Sequence, residues 1–123
     1  MNRQTYDPEL ANSVQQLNIW IHVLTEAFSI PPESNLKSLL CRHGDLIADS
    51  VTDGMENSGR MSVHAFRSIL DDALYSNHEI ESQLLTIRQL GIGDQEILSK
   101  AGSLCSKTSV QLADLIRTLN ARS

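Results

Sequence analysis

Apolar residues mark one stretch before any other. Leu10, Val14, Leu17, Ile21, Leu24 and Phe28 recur at steps of four, three, four, three and four. That period places all six on one side of an α-helix, predicted from Asp7 to Phe28, about six turns at 3.6 residues per turn. Asp7 is a natural N-cap, Pro8 suits the first helical position, and Glu9 favours the positive end of the dipole. Pro31 and Pro32 are expected to end the helix.

On a helical wheel the seam covers an arc of about 80°, at 100° per residue. In the C-terminal half Trp20, Val23 and Ala27 widen it on one side. Asn12, Gln15, Asn18, His22, Thr25 and Glu26 fill most of the opposite face, with Ile19 alone among them. One account of the wide stripe is a central helix packed within its own bundle. The sharper expectation is a homodimer, with Leu17, Ile19, Trp20, Val23 and Ala27 at the dimer or partner interface.

The following segments read as shorter helices. Ser34 or Asn35 can cap a second one running to about Asp53, with Leu36, Leu39, Leu40, Leu46, Ile47, Val51 and Met55 as its apolar set. Gly44 at its centre suggests a kink or a close helix approach. Gly54 reads as a C-terminal cap, and residues 55–60 as a polar loop. Ser62 caps a third helix carrying Val63, Phe66, Ile69, Leu70, Ala73 and Leu74, and Met61 with Phe66 makes a hydrophobic staple. Ser76 to Glu79 has the form of a capping box and opens a fourth, with Ile80, Leu84, Ile87 and Leu90 inward and Leu85 flanking; Gly91 ends it. Gly93 or Asp94 starts a short fifth helix ending near Gly102. Thr108 with Gln111, a second capping box, opens the last, with Val110, Leu112, Leu115, Ile116 and Leu119. No segment alternates with the period of a strand. The expected fold is a single all-α domain over residues 1–123: five or six helices in an irregular bundle around one long N-terminal helix, with residues 1–6 frayed.

Composition narrows this further. A chain of 123 residues with 4% aromatic side chains must build an aliphatic core. The net charge of −5 argues against a protein that coats DNA or anionic lipid. The charge is uneven: residues 33–81 carry four basic and nine acidic side chains, and residues 82–123 carry five basic and three acidic. The last third can therefore attract the middle third, within a chain or between chains. Cys41 and Cys105 lack the spacing of a disulfide framework and read as reduced, buried thiols. The N-terminus has no signal-peptide core and no apolar run reaches membrane length, so a cytoplasmic protein with no membrane contact is the expectation.

Chemistry-bearing clusters are sparse. Asp45, Asp49 and Asp53, at steps of four, form a carboxylate ridge, read as a solvated face or as an acidic surface for a basic partner. His22 and Glu26 share a helix face, but two ligands do not hold a metal. No nucleophile–base order and no phosphate loop is present, so an enzyme, a cofactor and a metal are not expected. A helix-turn-helix over the last two predicted helices fails, because its loop from Gly102 to Thr108 is too long and the reading helix carries Asp114. What remains is a small regulatory protein that binds and inhibits or modulates a protein partner, such as a transcription factor or nucleic-acid machine. Alternatives are a DNA-binding repressor or accessory protein, and a structural or secretion-chaperone subunit. The regulatory reading rests on elimination, the wide stripe and the acidic middle segment.

Overall fold

The computed structural model describes residues 5–28 and 33–122, with the side chains of all of these except 33 and 34. Four α-helices follow one another: α1 (Pro8–Thr25), α2 (Glu33–Glu56), α3 (Val63–Leu90) and α4 (Gln95–Arg122), with one 3-10 turn (Ser58–Arg60) between α2 and α3. No strand occurs among the described residues. Each helix packs on its neighbour in sequence, and α4 closes back on α1. The connections are short, so sequential helices run antiparallel and the arrangement is an up-and-down four-helix bundle.

The helix count differs from the sequence expectation, and so does the centre. At 18 residues α1 is the shortest of the four, against 24 for α2 and 28 each for α3 and α4. It is one wall of a ring, with α2 on one side and α4 on the other. The two sequences that resemble capping boxes lie inside helices. Ser76 and Asn77 are buried in the middle of α3, and Thr108 is buried in the middle of α4. Asn77 Nδ2 donates across to the Cys105 carbonyl at 2.9 Å and to Ser109 Oγ at 2.7 Å. The Asn77 amide is thereby engaged by α4 rather than by a local turn. Gly54 likewise does not end α2. It is buried within that helix, where a Cβ would stand 3.3 Å from Ile69 Cγ2 of α3.

The true helix ends follow local capping chemistry. Asp7 Oδ1 accepts from the amides of Glu9 and Leu10 at 3.0 and 3.2 Å, with Pro8 behind it. Ser62 Oγ accepts from Ala65 N at 2.9 Å. Gly91 closes α3 in the left-handed region at φ 71°, which glycine adopts without a Cβ clash. Asp94 Oδ1 accepts from Glu96 N and Ile97 N at 2.9 and 3.1 Å, so Asp94 rather than Gly93 opens α4. Pro31 and Pro32 lie outside the described residues. Asn35, a candidate cap, is the third residue of α2 and lies within its first turn.

All six seam residues of the first stretch are core: Leu10, Val14, Leu17, Ile21, Leu24 and Phe28 are buried. They join Leu40, Ile47, Val51 and Met55 of α2, Phe66, Leu70, Ile80 and Ile87 of α3, and Leu98, Leu112 and Leu119 of α4. Met55, which the sequence pattern assigned both to the apolar set of the second helix and to the loop after it, belongs to α2 and is fully enclosed. Three expected core residues are not: Leu46, Leu90 and Val110 stand in solvent. The bundle is tied at one end by residue 5, which the sequence left frayed. Thr5 N donates to Ser58 Oγ, whose own proton goes to the Met55 carbonyl at 2.9 Å, and Arg122 Nη1 donates to Thr5 Oγ1 at 3.2 Å.

Candidate interaction surface

Two surfaces meet along the joint between α1 and α2. The joint is a polar seam with the same period as the apolar one, displaced by a single residue. Gln15, Asn18, His22 and Thr25 follow Val14, Leu17, Ile21 and Leu24, so a 100° rotation turns them from the core toward α2. Their partners on α2 are Ala48, Thr52, Asp45 and Cys41. Gln15 Nε2 donates to Thr52 Oγ1 at 3.3 Å and reaches the Ala48 carbonyl at 3.5 Å. Asn18 Nδ2 donates to Asp45 Oδ1 at 3.0 Å, and His22 Nε2 lies 3.0 Å from the same oxygen. Thr25 Oγ1 donates to the Ile21 carbonyl at 2.9 Å, which leaves the Cys41 thiol, 3.3 Å away, to donate to Thr25. Gly44 makes this approach possible, since a Cβ there would stand 2.5 Å from Asn18 Oδ1.

His22 and then Asn18, bonding to its carboxylate, hold Asp45 below the ordinary aspartate range. Asp45 is therefore partly engaged inside the chain. Asp49 and Asp53, one and two turns on, are exposed on the outer face of α2. His22 pairs with Asp45 rather than with Glu26. Among the described residues, no three His, Cys, Asp or Glu side chains gather as a metal ion would require.

The predicted apolar interface residues separate. Leu17 is enclosed in the core and offers no outer surface. Trp20 leans toward α4, half-buried, and Lys100 Nζ stands 4.6 Å above its ring, a cation–π contact. Part of the wide stripe is thus met by α4. Ile19 and Val23, one turn apart on the outer face of α1, are 51% and 39% exposed, and Ala27 is exposed beyond the helix end. Sequence reasoning missed Tyr75, exposed on α3, and placed Leu46 and Val110 in the core, although they are 53% and 61% exposed. The signal was the charge around them: Arg42, Asp49 and Asp53 about Leu46, and Lys107, Asp114 and Arg117 about Val110, each at helical spacing.

Open grooves run between the helices. One, of about 890 Å³, lies between α3 and α4, and on the α4 side its lining residues Ser99, Gly102, Ser103 and Ser106 are small. Cys105 sits at its floor, hydrogen-bonded to Asn77, and burial, with a contribution from the Glu81 charge, pushes its thiol up to about 12. A second groove, about 630 Å³, runs along His22, Cys41, Asp45 and Leu46. The helix-turn-helix is ruled out by α4 itself, which passes through residues 101–108 without a break. No helix of the described residues is long and apolar enough to cross a membrane.

No protein-family model matches the chain, and no curated protein matches it.

Proposed function

We propose that this bundle is a non-enzymatic regulatory protein that binds a protein partner, inhibiting or modulating it, through the outer face of α1 and the acidic edge of α2. The observation that carries the reading is the pair Ile19 and Val23, one turn apart and left 51% and 39% exposed by the described residues. Beside them the Asn18, His22 and Asp45 bonds join α1 rigidly to the helix that carries Asp49 and Asp53. An apolar centre with a charged rim is the usual anatomy of a protein interface: the centre supplies affinity, and the rim tunes encounter rate and salt response. The partner surface this fits is apolar with a basic border, as on many nucleic-acid-binding proteins.

The test is quantitative capture from the native host with the wild-type chain and with Ile19→Ser combined with Val23→Ser. Both positions are solvent-facing, so the variant is expected to fold, which circular dichroism checks. One defined protein captured by the wild type and lost by the variant supports the proposal. Capture that the variant leaves unchanged overturns it, and salt-dependent retention on DNA or heparin favours a nucleic-acid accessory protein instead.

A further inference from the structure

We propose that copies of this chain associate head to tail, the outer face of α2 on one copy lying antiparallel against the outer face of α4 on the next. The two faces carry matching patterns. On α2, Arg42, Leu46, Asp49 and Asp53 are all exposed, with Leu46 at 53%. On α4, Ser103, Lys107, Val110 and Asp114 are all exposed, with Val110 at 61%. An antiparallel register that sets Leu46 level with Val110 sets Asp49 level with Lys107 and Arg42 level with Asp114. Both ion pairs are of opposite sign, and Asp53 falls level with Ser103, which is small enough to admit the facing helix. A parallel register around the same apolar pair sets Asp49 level with Ala113 and Arg42 level with Ser106, so neither pair forms. Asp114 is already held by Arg117 at 2.9 Å, so Arg42 would complete a three-charge cluster.

The placement of the two helices dictates the kind of assembly. α2 and α4 each pack on α1 and α3, so they occupy opposite corners of the ring and their outer faces point away from each other. One copy therefore cannot use both faces on the same neighbour. The contact is heterologous and propagates, each copy turned end over end relative to the last. Exposed ion pairs contribute little each, so the contact is weak, salt-sensitive and dependent on concentration. It uses neither Ile19 nor Val23 but shares Asp49 and Asp53 with the proposed partner surface, so the Ile19 and Val23 variant is what separates the two readings.

The experiment is sedimentation equilibrium of the full chain at low ionic strength over a wide concentration range. The weight-average mass should climb past twice the 13.6 kDa monomer without a plateau, and fall back toward it in ~1 M salt. Asp49→Lys alone and Lys107→Glu alone should each remain monomeric. An equimolar mixture of the two should regain association, because each then offers the other a complementary face. Ile19→Ser with Val23→Ser should associate like the wild type. A wild-type monomer throughout, a mass that plateaus at a dimer, a mixture that stays monomeric, or loss of association in the Ile19 and Val23 variant would each overturn the proposal.

Discussion

Gly44 of α2 stands so close to Asn18 of α1 that a Cβ would lie 2.5 Å from the amide oxygen, and 3.2 Å from Ile21 Cδ1. Two effects oppose each other at this site. Gly→Ala in a helix interior favours folding by up to ~1 kcal/mol, whereas overpacking costs ~1–3 kcal/mol. Asn18 cannot rotate away without releasing Asp45, so the steric cost wins. We expect Gly44→Ala to lower the urea midpoint in the wild-type background and to raise it in an Asn18→Ala background. Equal effects in the two backgrounds would show that the clash is absorbed elsewhere.

Leu17 and Ile19 are two residues apart and opposite in burial, at 1% and 51% exposed. Leu17→Ala should cost ~2–5 kcal/mol, the usual range for truncating an enclosed aliphatic residue. Ile19→Ala should fall within about 0.5 kcal/mol of wild type. Equilibrium denaturation of both variants decides, and comparable losses would mean that Ile19 is covered in solution by another chain.

The folded chain depresses the pKa of Asp45 through its bonds to His22 and Asn18. A carboxylate of this kind contributes stability above its unfolded pKa and loses it as the pH falls through the folded pKa. The window is therefore the acid range, below about pH 4. With the His22 and Asp45 side chains 48% and 55% exposed, the contribution is at most about 1 kcal/mol. Asp45→Asn should be less stable than wild type at neutral pH, with the gap closing in acid. Urea titrations at several pH values would show this, and a gap independent of pH would mean that the charge contributes nothing.

Asn77 is fully buried and donates to α4. Asn77→Asp places a carboxylate oxygen against the Cys105 carbonyl, an acceptor facing an acceptor, and buries a charge. A loss above ~3 kcal/mol at neutral pH is expected. The buried Asp would have a raised pKa, so its penalty relative to wild type should shrink as the pH falls. Thermal unfolding of both proteins at neutral and acidic pH measures the difference, and a penalty that does not change with pH would place Asn77 outside the core.

The two thiols should differ in reactivity. Cys41 is half-buried, whereas Cys105 is enclosed and its pKa is pushed up to about 12. At neutral pH Cys105 is protonated as well as shielded, and the thiolate is the reactive species. A thiol reagent should modify one cysteine in the native chain and the second only on unfolding. Native Cys41→Ser that labels as fast as wild type would contradict the burial of Cys105.

The features legible from the amino acids alone were those set by neighbours within a turn or two. The six-residue apolar seam, the caps at Asp7, Ser62 and Asp94, and the stop at Gly91 depend on helical period and on backbone groups a few residues away. The close approach at Gly44 followed from the absence of a side chain. The number of helices was decided by the tertiary structure. Ser76 and Thr108 both begin capping-box sequences, and a cap is worth ~1 kcal/mol. Running straight through them buries Asn77, Ile80, Leu84, Cys105 and Leu112 against other helices. At ~25 cal/mol per Å² of apolar surface, burial on that scale outweighs any local turn. The surface was hidden for the same reason. Gln15, Asn18, His22 and Thr25 look like a solvent face until α2 is set beside them, and Leu46 and Val110 look like core until each long helix fixes which way they point. Periodicity shows which side chains share a face, but only the packed neighbours determine whether that face meets water, a helix or another molecule.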